Sequence, residues 1–190
     1  MILRLTILWI WKLIDPLFYL CSRLHYINDD PNNQSVFRVR ITKYKGGNFT
    51  LADGTKINRN DCLLKIHLHN IRLLHEFKKI KNDLMRARLM YKLVLSSMPL
   101  LASYLKDHPE ESNIKGIIGI TTINKGIRSL GFECYPPSNR WYKYFKKLGQ
   151  LPISLISSSS IKNFHTNSLN YLFLSKEKLY HLYGQNPSSK

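Results

Sequence analysis

The sequence predicts an α+β fold, and three observations carry the prediction. Between residues 36 and 70 apolar and polar residues alternate and are interrupted by glycine-bearing turns, the pattern of a small antiparallel sheet or meander. From Asp83 to Asp107 apolar residues recur at helical spacing on two sides, which predicts a long buried helix. Two short runs within residues 114–135 are rich in β-branched and aromatic residues, so an extra strand pair is expected there. An amphipathic helix at the N-terminus completes the architecture. The chain divides into that helix (1–27), a single α+β domain (28–184) and a disordered tail (185–190).

Residues 1–27 are apolar at nearly every position, yet Arg4, Lys12, Asp15, Ser22 and Arg23 fall within one arc of about 100° on a helical wheel. Three charges and Pro16 inside the run make a poor transmembrane span, and no small-residue cleavage site marks a signal peptide. The expected helix is therefore clasped by the domain or lies in a membrane interface, where Trp9, Trp11 and Tyr19 suit the head-group boundary and Lys12 joins Trp9 and Trp11 as a lipid or polyanion contact. Pro16 kinks or divides it.

After the polar linker 28–35 the period changes. Phe37, Val39 and Ile41 alternate with Arg38, Arg40 and Thr42, as in a half-buried strand. Turns at 45–48, 53–54 and 58–61 separate short strands at 49–51 and 56–57 from a last strand, 63–69. Helices follow at 71–81 and 83–107. In the second, Leu84, Tyr91, Leu95, Met98, Leu101 and Leu105 share a face, while Met85, Leu89 and Leu93 form another apolar row. Pro99 either kinks that helix or sits in the first turn of a new one capped by Ser96 or Ser97. A buried strand (114–122), one helical turn (127–130), a strand (131–135), a basic aromatic helix (141–148) and a last strand (171–174) follow. Ser175 caps a final helix that ends at Tyr183, before Gly184.

The 190 residues are 44% hydrophobic, enough to bury a real core, and too apolar for a disordered chain. Charge sets the chain apart: 29 Lys and Arg against 12 acids give a net charge of +17. Such a surface attracts polyanions, whether lipid head groups, anionic envelope polymers or nucleic acid. The three cysteines form no CxxC pair, so a reducing compartment fits better than a disulfide scaffold.

Candidate chemistry gathers in two stretches. His67 and His69 project from the same strand face as Lys65, while Leu64, Ile66 and Leu68 face the core. Two imidazoles can begin a zinc site, but no third ligand stands at a diagnostic spacing, so no metal or cofactor is expected. Asn70, at the strand-to-helix junction, suits a helix cap. The second stretch runs from Thr121 through Asn124, Lys125 and Gly126 to Arg128: a strand, a glycine turn and a short helix that can offer N–H groups and cations to an anion. The glycines serve equally as plain turn formers. Trp141, Lys143, Lys146 and Lys147 interleave rings with cations, a pattern shared by lipid contacts, base-stacking surfaces and core aromatics with snorkelling lysines. No GxSxG, HExxH or GxGxxG pattern occurs, and an enzyme is the weaker reading.

Together these stretches resemble the YkoP-like family. The resemblance is carried by Ile66-His67-Leu68-His69-Asn70, by Gly119-Ile120-Thr121 continuing through Gly126 to Ser129-Leu130-Gly131-Phe132, by Trp11, Asp15 and Pro16, and by the run from Lys43 to Thr55. It covers about Trp9 to Gly184. The chain departs from the pattern at Ile66 for Leu, Lys65 for an acid and Ser129 for Arg. The resemblance implies bacteria of the Firmicute type and relatives found alone or fused to polysaccharide deacetylases, and so points to the cell envelope.

The expectation is a non-catalytic accessory domain, cytoplasmic and peripheral on the inner face of the cell membrane. It would bind a small anionic or glycan-like ligand near His67, Asn70 and Thr121, with anionic lipid or envelope polymer as partner and helix 1 open to a protein partner. An enzyme using His67 as acid or base is the second reading. A nucleic-acid module is the third.

Overall fold

The computed structural model describes residues 24–27, 35–77, 80, 82–121, 126–136 and 170–184. Its strands are β1 (His25–Tyr26), β2 (Phe37–Lys43), β3 (Phe49–Thr50), β4 (Lys56–Ile57), β5 (Cys62–Leu68), β6 (Ile114–Thr121), β7 (Glu133–Tyr135) and β8 (Asn170–Ser175). The helices are α1 (Asn70–Phe77), α2 (Asp83–Lys106) and α3 (Lys176–Tyr183). Trp9, Trp11, Lys12, Asn124, Lys125, Trp141, Lys143, Lys146 and Lys147 lie outside the described residues, as do the expected helix 141–148 and the tail 185–190. So does the expected N-terminal helix up to residue 23, while His25–Tyr26, at its expected end, pair as a strand with β2.

The α+β class holds, with a pairing scheme more mixed than a meander. The main sheet has six strands in the order β1-β2-β5-β6-β8-β7. β2 and β5 pair antiparallel along their full length, from Phe37 opposite Leu68 to Lys43 opposite Cys62. The intervening β3 and β4 form a separate two-stranded sheet. β6 then joins β5 in parallel, which requires a long crossover, and α1 and α2 supply it. The two strands expected as a pair within 114–135 do not pair with each other: β8 lies between β6 and β7 and is antiparallel to both.

Alternation along each strand divides the buried side chains between two cores. On one face Phe37, Val39, Leu64, Ile66, Ile117, Leu172 and Leu174 meet Leu73 of α1, Met98, Leu101 and Leu105 of α2 and Leu179 of α3. Fully buried residues such as Leu101 and Leu105 each contribute about 2 kcal/mol. On the second face Leu63, Ile118 and Phe173 are capped by Leu51 and Ile57 of the β3–β4 hairpin. The rings of Tyr44, Phe49 and Tyr135 pack edge-on around Phe173 at centroid distances of 4.7–5.8 Å.

α2 runs unbroken through Pro99. The Ser96 and Ser97 hydroxyls donate to the Leu93 carbonyl at 3.0 and 2.8 Å, in the turn before the one that Pro99 disturbs. The Ser97 oxygen also accepts the Val36 N–H at 3.0 Å, tying the helix to the start of β2. The helix is buried along one side only. Its C-terminal half inserts Met98, Leu101 and Leu105, but Leu84 and Met85 are 59% and 58% exposed. α3 follows the expectation from its caps: Ser175 accepts the Lys178 N–H at 3.0 Å, and Gly184 ends it.

Candidate functional site

On the second face, beyond the area capped by the hairpin, strands β2 and β5 set four basic side chains side by side. Register places Arg38 opposite His67 and Arg40 opposite Lys65. Phe37, Val39, Leu64 and Ile66 of the same strands belong to the helix-side core. Alternation therefore turns all four basic residues to the other face. Arg38 is only 4% exposed and Lys65 only 7%. Arg40 and His67 are half-buried.

Tyr26 holds one end of this cluster. The Arg38 guanidinium donates to the Tyr26 hydroxyl at 2.7 Å, and its carbon stands 4.9 Å from the ring centroid. The same ring meets His69 edge-on, with centroids 5.5 Å apart. These contacts fix the guanidinium plane. None of the four basic residues is without a partner. Planar and tetrahedral cations converging from two strands form a set of donors suited to a carboxylate or phosphate.

The residues singled out in the sequence divide around this cluster. His67 belongs to it. Thr121 ends β6, the strand next to β5, opposite Asn170 of β8. It sits at the same end of the sheet but shares the parity of Gly119, where an added Cβ would point at Ile66 and Leu172 in the helix-side core. The two strands meet, while the side chains of His67 and Thr121 leave the sheet on opposite faces. Asn70 is the first residue of α1. Arg128 is exposed on a 3-10 turn whose neighbours Ile127 and Leu130 pack into the helix-side core, so it too lies away from the basic cluster. Gly126 and Gly131 bracket that turn with φ of 80° and 89°, conformations that favour glycine.

Arg38 and Arg40 are absent from the sequence-derived site, and Lys65 enters it only as a neighbour of His67 and His69 on their strand face. The signal for all three is the same alternation that places His67, read across two strands at once. No group of three or more metal-ligating side chains occurs among the described residues. A shallow groove of about 390 Å³ runs along the C-terminal end of α2, lined among others by Ile27, Leu100, Tyr104 and His108. It contains none of the expected site residues.

Fold and cluster together define a small α+β domain with a basic constellation on one face of a mixed sheet. The chain belongs to the YkoP family: the YkoP domain model matches residues 4–183. It is 45% identical over 174 residues to the Bacillus subtilis (strain 168) protein named "Uncharacterized protein YkoP", covering 92% of this chain and 94% of that protein. No solved structure matches the chain. Among the described residues, no helix is long and apolar enough to cross a membrane.

Proposed function

We propose that this domain is a non-catalytic binding module for a small soluble anion bearing a phosphate or carboxylate group. Arg38, Arg40, Lys65 and His67 contact the anion, and Tyr26 orients Arg38. One observation carries the reading: two cross-strand pairs of basic residues, Arg38 with His67 and Arg40 with Lys65, are stacked on one sheet face with Arg38 and Lys65 buried. An anion docked on this face gains charge-assisted hydrogen bonds from two adjacent strands. The net charge of +17 draws anions toward any such site.

Calorimetric titration at constant ionic strength tests the reading with inorganic phosphate, acetate and an uncharged disaccharide. Phosphate or acetate should give saturable binding, and the R40Q/K65Q double variant should weaken it by about two orders of magnitude, from two lost charge-assisted bonds. Circular dichroism verifies that the variant is folded. Binding of the disaccharide alone would instead identify a neutral glycan site. No saturable binding, or equal binding by the double variant, would refute the anion site. A pH–rate profile for hydrolysis of an envelope glycan that is abolished by H67A in a folded protein would favour the enzyme reading.

A further inference from the structure

We infer that the outer face of α2 is a docking surface for anionic lipid, and that the protein lies on a membrane along this helix. Leu84, Arg88, Tyr91 and Leu95 recur at i, i+4, i+7 and i+11 and so form one stripe along the first three turns. Leu84 is 59% exposed, Tyr91 37% and Leu95 39%, with Met85 beside them at 58%. Leu182 of α3, 46% exposed, extends the same surface. Its side chain lies against Gly131 and the Tyr91 ring against Gly126, so the two flank a single turn. Contiguous apolar side chains standing in solvent mark an interaction surface.

Charge selects the occupant. Arg88 and Lys92 are exposed within the stripe, and Arg128 stands on the adjoining turn. Between Asp83 and Asp107 the helix carries Arg86, Arg88, Lys92 and Lys106 and no acid. A surface of Leu, Met and Tyr interspersed with cations, with no acid in the sequence between Asp83 and Asp107, complements the interface of an anionic bilayer, where alkyl groups enter the acyl boundary and cations meet phosphates. Tyr91, whose hydroxyl accepts a hydrogen bond from the Ser129 hydroxyl at 3.2 Å, has the amphipathic shape that settles at that depth. The helix does not span the bilayer; it rests in its plane.

The surface is separate from the basic cluster on the sheet's second face, and the test keeps the two apart. The full chain is sedimented with vesicles of phosphatidylcholine alone and of phosphatidylcholine with phosphatidylglycerol, at low and high salt. The expected result is partition onto the phosphatidylglycerol vesicles, weakened by salt. It should fall about tenfold or more in L84S/M85S/L95S and several-fold in R88Q/K92Q. These positions are exposed, so both variants should melt as the parent does. The R40Q/K65Q variant should still sediment with the vesicles. Equal partition onto neutral and anionic vesicles, no partition, or unchanged partition of L84S/M85S/L95S would overturn the inference. So would loss of partition in R40Q/K65Q alone, which would place lipid contact at the sheet cluster. Conversion of a dimer to a monomer by L84S/M85S/L95S, without vesicle binding by the parent, would assign the stripe to a second copy of the chain.

Discussion

The Ser175 hydroxyl donates to the carboxylate of Asp53, a residue 122 positions earlier, while its oxygen accepts the Lys178 N–H that opens α3. One fully buried side chain thus caps a helix and pins the turn between β3 and β4 to the end of β8. Glu133 reinforces the attachment, since both its carboxylate oxygens accept the Ala52 N–H at 3.1 Å. Replacing Ser175 with alanine removes the cap and leaves a backbone donor and a carboxylate short of a partner. S175A is expected to lose about 2 kcal/mol in chemical denaturation, or roughly 4–8 °C in Tm. A change below about 0.5 kcal/mol would show that water replaces both bonds.

Asp53 also gives the fold a pH dependence. Partial burial pushes its pKa up, but hydrogen bonds from Ser175 and Thr55 and the charge of Lys178 outweigh this and hold it below the ordinary 3.8. A lowered folded-state value means the unfolded chain binds the proton more tightly. The contribution to stability is therefore complete above 3.8 and is lost as pH falls through the lower folded value. Glu111 acts in the same direction, held down first by its bond from Lys176 and then by that from Tyr180. D53N should flatten the acid limb of a Tm-against-pH curve while costing stability at neutral pH. An unchanged acid limb would assign the pH dependence to other carboxylates.

The sequence was legible where a signal is local. Alternation of Phe37, Val39 and Ile41 with Arg38 and Arg40 located a strand and its two faces, and the spacing of Ser175 and Gly184 located α3 with its caps. Periodicity names a face without saying what covers it. Arg38 and Arg40 therefore read as ordinary solvent-facing positions, although Arg38 is buried. The same gap explains α2, whose two apolar rows, one through Leu84 and Leu95 and the other through Met85 and Leu89, implied burial on two sides, whereas Leu84, Met85 and Leu95 stand exposed. Pairing is harder still. Nothing near Ile114 or Glu133 indicates that Asn170–Ser175 will enter between them, because that choice depends on contacts distant in sequence. His67 and Thr121 show the consequence for the site: both strand ends were foreseen, and the opposite parity of the two residues depends on the register of β5 against β6.

That entry of β8 leaves a mark at Gly116, which faces Ser175 in the β6–β8 ladder. A Cβ there would stand 2.6 Å from the Leu174 carbonyl oxygen and 3.2 Å from the Ser175 Cα, both backbone atoms. Relief requires the strands to separate at the centre of the sheet, next to the Ser175 node. G116A is expected to destabilise the protein by about 2–3 kcal/mol, at the upper end for an overpacked core. Gly47 has nothing within 4 Å of an added Cβ, so G47A is the matched control and should change stability by less than about 0.5 kcal/mol. Equal effects of the two substitutions would show that β6 and β8 approach less closely than the register requires.

Arg40 and Lys65 stand opposite each other on β2 and β5, and their coupling reports on what lies between them. Two like charges on adjacent strands repel, so each single substitution relieves strain that the second cannot relieve again. A double-mutant cycle with R40Q and K65Q, read by chemical denaturation without added anion, should give a repulsive coupling of about 0.5–1 kcal/mol. Saturating phosphate should shrink or reverse that coupling, because an anion held by both residues makes each depend on the other. Adding chloride at equal ionic strength controls for screening, which would weaken the coupling without reversing it. A coupling identical with and without phosphate would mean that the two side chains are compensated by the chain itself and that the cluster is part of the scaffold.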